Sequence, residues 1–201
     1  MMRYIWTDAG DDPSWEVGDA HGINGYFFPA FDTITTREVK NAATRGHAHG
    51  IYIGHGWLSG DPDSYAKQIN DYMKPIRAAL PKVRLQVNME EHDSSLILAR
   101  LQAVRRLLPT IGLSWSLEGM QGGWISPGLG DWIEQLKVRV VPEGFWGAAG
   151  RMDGIFDGNG LVLNLVERGI PAALVSPMID ASWSSRLVGW QGYAFTMGRL
   201  A

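Results

Sequence analysis

Eight short runs rich in Val, Ile, Tyr or Trp recur along the chain, and nearly every one ends on an acidic residue or a histidine. They cover residues 3–8 (RYIWTD), 25–32 (GYFFPAFD), 50–55 (GIYIGH), 84–91 (RLQVNMEE), 111–118 (IGLSWSLE), 137–143 (KVRVVPE), 172–180 (AALVSPMID) and 192–197 (GYAFTM). Runs of this kind are strands, and the stretches between them are of helix length. Strands that alternate with helices pair in parallel, because each crossover returns the chain to the same end of the sheet. Polar residues gathered at the C-terminal end of each strand match a closed barrel whose site lies on that face. The predicted fold is α/β, a small irregular (β/α)8 TIM barrel.

The intervening segments carry helix signals of unequal strength. Thr35-Thr36-Arg37-Glu38 reads as a capped start, followed by Val39, Ala42 and Ala43 before the stop at Gly46. Asp61-Pro62-Asp63 opens the longest candidate, with Tyr65, Ile69, Tyr72, Met73 and Ile76 at helical spacing until Pro81. Asp93-Ser94-Ser95 leads into 96–108, which Pro109 ends, and 129–136 and 160–168 supply two more helices. Segments 13–20 and 184–190 are barely two turns each, so the barrel is trimmed at both ends. Pro142 removes a ladder donor from the run 137–143, and a long glycine-rich loop, 144–158, follows it.

At 201 residues and 45% hydrophobic, the chain can bury one core but is short for an eightfold barrel, so one domain over 1–201 is expected. With 18 basic against 21 acidic residues, the net charge of −3 offers no footprint for nucleic acid or an anionic bilayer. The absence of cysteine removes disulfides and thiolate metal sites. The N-terminus enters a strand with no apolar stretch of signal-peptide length, and no run is long enough for membrane insertion. Dinucleotide, P-loop, nucleophile-elbow and HExxH patterns are all missing, and no cofactor is implied.

Alternation along the strands sorts the polar residues. Gln86, Asn88 and Glu90 share one face of the fourth run, opposite Val87, Met89 and Glu91. On the fifth, Ser114, Ser116 and Glu118 lie opposite Leu113, Trp115 and Leu117. The apolar sets belong under the helices, which turns Asn88, Glu90, Ser116 and Glu118 into the barrel mouth beside Asp8, Asp32, Glu143 and Asp180. Carboxylates crowded in one concave mouth repel one another, so at least one is expected to hold a proton near neutrality. Glycoside cleavage needs such an acid together with a second group at the anomeric centre. Glu90 is the candidate acid, with Asp8, Glu118 or Asp180 as the second group; Asn88, Asp32, His55, Trp57, Glu143, Trp146 and Trp183 are candidate substrate contacts. The bland alternatives are that about a third of these acids cap helices, as Asp61 and Asp93 are expected to, and that the loop tryptophans pack on one another. His47 and His49 are expected before the third strand, at the opposite end from His55 and His92, with no third ligand nearby, so no metal site is predicted.

The motifs WTDAG at the first strand and VNMEE at the fourth resemble glycoside hydrolase family 25 lysozymes and the related glycosidase-like barrels of bacteriophage proteins. The resemblance implies a small irregular barrel with an aspartate ending the first strand and an Asp-x-Glu pair ending the fourth. Asp8 matches the first position and Glu90 the family's acid, whereas Asn88 replaces the aspartate with an amide that can donate a hydrogen bond but carries no charge. The DAGDDP turn and the GYFFPAFD strand also look like the barrel domain of minor tail proteins in phages of actinobacteria. That likeness implies a virion component, assembled in the host cytoplasm, whose ligand is host-envelope carbohydrate and whose partners are other tail proteins. The aromatic loops at 122–127 and 145–146 are the expected interface, including that of a homo-oligomer. Two functions follow: a glycan- or subunit-binding tail protein, and an active glycan hydrolase.

Overall fold

A computed structural model of the chain describes residues 4–6, 15–20, 22–32, 35–91, 93–118, 128–143 and 165–175. Among the described residues there are six strands: β1 (Tyr4–Trp6), β2 (Gly25–Pro29), β3 (Ala48–Ile53), β4 (Arg84–Asn88), β5 (Gly112–Glu118) and β6 (Val138–Glu143). Between them lie α1 (Trp15–Ala20), α2 (Thr35–Thr44), α3 (Pro62–Ala79), α4 (Ser94–Leu107) and α5 (Leu129–Gln135). All neighbouring strands are parallel. Their spatial order is their chain order. A doubly wound sheet reverses its order partway, whereas a barrel winds in one direction, so this topology is that of a small irregular α/β barrel.

The predicted seventh strand begins differently from expectation. Ala172–Leu174 forms a 3-10 turn after Pro171, and Val175 makes an isolated parallel bridge to Val140 of β6. Proline with its fixed φ starts the turn, and Val175 meets the sheet directly after it. The predicted eighth strand, 192–197, and the helix at 184–190 lie outside the described residues. Among the described residues, no helix is long and apolar enough to cross a membrane.

Strand register separates the two faces of the sheet. Phe28, Ile51, Leu85, Leu113 and Val138 are successive partners, as are Ile53, Val87, Trp115 and Val140. All are buried in the main core together with Ile69 and Met73 of α3 and Ile97, Leu101 and Val104 of α4. The opposite face carries Gly25, Ala48, Gly50, Arg84 and Gly112 low in the sheet, then Tyr52, Gln86 and Ser114, then Asn88 and Ser116. Here Tyr4, Phe27 and Val141 form a separate small cluster. Val141 is on β6 and the other two are on β1 and β2, so the sheet curls until these strands face one another across a lumen. Arg84 of β4 likewise crosses the lumen, donating from Nη1 to the Tyr4 hydroxyl with its guanidinium 5.5 Å from the Tyr4 ring centre. Two glycines make room: a Cβ on Gly25 would lie 2.3 Å from the Tyr4 ring, and one on Gly50 2.3 Å from the Phe27 ring.

The helix starts follow their sequence signals. Asp61 accepts from the backbone N–H groups of Asp63 and Ser64, and Asp93 from those of Ser95 and Leu96, so both carboxylates cap helices. Hydrogen bonds from Ser64 hold the Asp61 carboxyl below its ordinary pKa. At α2 the Thr35 hydroxyl instead donates to the Pro29 carbonyl, fastening the helix start to the end of β2.

Candidate functional site

The C-terminal end of β4 is pinned from the neighbouring strand. Met89 donates its N–H to the Ser116 carbonyl at 3.1 Å, extending the ladder one residue beyond β4. The Met89 carbonyl in turn accepts from the indole N–H of fully buried Trp115 at 3.1 Å. The next residue, Glu90, is thereby held at the rim.

Three predicted site residues meet there. Asn88 Nδ2 donates to Glu90 Oε1 at 2.9 Å, so that oxygen is engaged as an acceptor. The Glu90 N–H donates to His55 Nδ1 at 3.2 Å, which requires an unprotonated Nδ1 and leaves Nε2 to carry the ring proton. His55 follows β3, so this bond ties the exits of β3 and β4 together. Glu91 points the other way and pairs with Arg100 of α4, whose guanidinium lies 4.6 Å from the Tyr65 ring centre. Burial raises the Tyr65 phenol's pKa, with Arg100 opposing that rise. The alternation that placed Glu90 in the mouth and Glu91 among the helices therefore holds.

Trp57 stands on the same rim, 45% exposed. Its ring is 5.6 Å from that of inward-facing Tyr52 at an interplanar angle of 37°. Its indole also covers Gly54, where a Cβ would come within 2.5 Å of it. The turn from Gly54 to Trp57 contains Gly56 at φ 74° and is closed by the Trp57 N–H on the Gly54 carbonyl at 3.3 Å. An aromatic face is thus presented to solvent beside an amide, a carboxylate and an imidazole.

The other predicted residues are placed less completely. Asp32 is half-buried just beyond β2, and its carbonyl receives the Thr35 N–H at 3.4 Å. Glu118 and Glu143 occupy register-paired positions at the ends of β5 and β6. Asp8, Asp180, Trp146 and Trp183 lie outside the described residues, as do His92 and the loops 122–127 and 144–158. The crowding of carboxylates expected from Asp8 and Asp180 is therefore not part of the described rim.

His49 departs from expectation, because β3 begins at Ala48 and includes it. Its Nδ1 contacts the His47 carbonyl at 3.0 Å. His47 stacks on Trp15, with ring centres 5.9 Å apart and an interplanar angle of 7°, and its Nε2 is 3.1 Å from Asp19. His47 therefore belongs to the packing of α1 against the sheet. Two aromatic residues at the rim were not singled out beforehand. Tyr52 was legible from the alternation in GIYIGH. Phe31 was not: it is 50% exposed at φ 64°, with its N–H donated to Tyr72 Oη at 3.0 Å and its ring 4.5 Å from that of Tyr72. Nothing local announces a left-handed phenylalanine.

No protein-family model matches the chain, and neither does any curated protein. Among solved structures, the Ignisphaera aggregans GH53 catalytic domain aligns with a TM-score of 0.49 and 15% identity, over 89% of this chain and 62% of that one. The chain thus spans under two thirds of that domain. The tamarind chitinase-like lectin aligns with a TM-score of 0.51 and 10% identity, over 98% of this chain and 92% of that one. The likeness to the lectin is one of fold, and the fold it shares with this chain is the small α/β barrel whose strand order and lumen are described above.

Proposed function

We propose that this chain is a glycan-binding barrel that holds carbohydrate without cleaving it. The observation that carries the reading is the rim itself, where exposed Trp57 backed by Tyr52 stands beside the bonded Asn88–Glu90 pair. An indole face stacks on the apolar face of a sugar ring, while Glu90, Asn88 and His55 offer polar partners to its hydroxyls. One Glu90 oxygen is engaged by an amide, whose donated hydrogen bond favours the ionised carboxylate over the acid, and no charged group stands at position 88 to stabilise an oxocarbenium ion. Sharing a fold with a protein named as a chitinase-like lectin is in keeping with this. On the strength of WTDAG, VNMEE and the DAGDDP turn, we place the chain in the virion of a bacteriophage as a minor tail protein assembled in the host cytoplasm. Its ligand there is host-envelope glycan, with neighbouring tail subunits as its protein partners.

A second reading, hydrolysis with Glu90 as acid, is favoured by one observation: Glu118 ends the adjacent strand and Glu143 the next. Incubation with purified actinobacterial cell walls separates the two. The native chain is expected to sediment with the walls, Trp57→Ala to lose most of that binding, and both the native chain and Glu90→Gln to release no reducing sugar. Release by the native chain that disappears in Glu90→Gln overturns the binding-only reading.

A further inference from the structure

Below the rim, the lumen is built against the usual pattern. Barrel interiors are filled by bulky branched side chains in layers. On β4 and β5, however, the inward positions hold Gln86, Asn88, Ser114 and Ser116, register-paired as Gln86 with Ser114 and Asn88 with Ser116. Gln86 is 2% exposed and Ser116 0%. Among the described residues, Gln86 Oε1, Ser116 Oγ and Asn88 Oδ1 are buried and make no hydrogen bond. Paired strands lie about 4.8 Å apart and alternate residues about 7 Å along a strand, so these atoms belong to one small region. Leaving buried polar atoms unpaired is costly, and three together beneath an exposed rim call for an occupant.

The chemistry of that occupant follows from the atoms. Two are amide carbonyl oxygens, which only accept, and the third is a hydroxyl, which accepts or donates. Glu90 at the opening is a further acceptor. A phosphate or carboxylate brings acceptors against two amide oxygens and a carboxylate and is disfavoured, whereas hydroxyl and amide N–H groups are matched by every one of these atoms. We infer that the inner face of β4 and β5 under the Asn88–Glu90 pair is a donor-seeking subsite, taking hydroxyl or N–H substituents of a neutral sugar whose ring stacks on Trp57. This rests on the glycan-binding reading and adds to it that recognition reaches into the lumen.

Two measurements on Gln86→Met and Ser116→Ala test the subsite. Without ligand, removing an unpaired polar atom is expected to raise Tm, by about 2–4 °C for each variant. With actinobacterial cell walls in a sedimentation assay, each is expected to bind about 5- to 10-fold more weakly than the native chain. A fall in Tm for both variants shows that the atoms are already satisfied in the free protein and overturns the subsite. Unchanged wall binding by both, while Trp57→Ala still loses it, overturns the subsite and leaves the glycan reading standing. Failure of the native chain to bind walls overturns both.

Discussion

At position 88, the difference between an amide and a carboxylate is one donor against one charge. Asn88 satisfies Glu90 through its Nδ2, and aspartate there would set two carboxylates against each other. Asn88→Asp is expected to lower Tm by several degrees at neutral pH. Thermal melts of the two proteins check it, and an unchanged Tm would show that the two side chains do not face each other. Arg105 does a different task with a single side chain. Its Nε donates to the Leu136 carbonyl at 2.8 Å, its Nη1 to those of Ile111 at 2.8 Å and Pro109 at 3.2 Å, and its Nη2 to that of Lys137 at 3.3 Å. The end of α4 is thereby fastened to the entries of β5 and β6. Burial moves the guanidinium pKa down, but the planar fork still serves several directions, which an ammonium cannot. Arg105→Lys is expected to cost about 2 kcal/mol in urea denaturation and Arg105→Ala somewhat more. A loss under about 0.5 kcal/mol would mean that water replaces these bonds.

Among the elements, α3 carries an internal proline. Pro75 cannot donate to the carbonyl one turn back, and its ring crowds that carbonyl, yet the helix runs through it from Pro62 to Ala79. The reason is tertiary: Tyr65, Ile69, Met73 and Ile76 all lie buried against the sheet and neighbouring helices. Pro75 itself is exposed, so Pro75→Ala is expected to stabilise the protein by about 1–3 kcal/mol, and denaturant midpoints check the sign. The same balance explains which boundaries could be read beforehand. Asp61 and Asp93 announced their helices because a cap is a local device. Strand ends could not be read so well: β2 ends at Pro29, with one more backbone bond from Ala30 to the Tyr52 carbonyl before Phe31 turns left-handed, and β4 ends at Asn88 although Met89 keeps a ladder bond. Where pairing ends depends on a neighbouring strand that is distant in sequence. Parity, which is local, divided Glu90 from Glu91 correctly, and it also marked Gln86 and Ser116 as inward-facing.

For the molecule as a whole, closure rests on contacts between strands that are not sheet neighbours. The Arg84–Tyr4 bond joins β4 to β1 across the lumen, and Val141 of β6 joins the cluster of Tyr4 and Phe27. A double-mutant cycle with Tyr4→Phe and Arg84→Met is expected to show a coupling of about 0.5–2 kcal/mol. Strict additivity would mean that the two strands do not meet. Periodicity and turn residues gave the winding direction, since strands alternating with helices in chain order leave few other parallel sheets. They could not show which inward residues would be left unpaired, because that depends on how far the sheet curls.

Among the described residues the two apolar clusters are very unequal: the large one lies between sheet and helices, and the small one inside the lumen. The inward positions of β4 and β5 belong to neither cluster. Such positions answer to the ligand more than to the packing, so that a lineage could re-line the lumen for a new ligand while inheriting its scaffold unaltered.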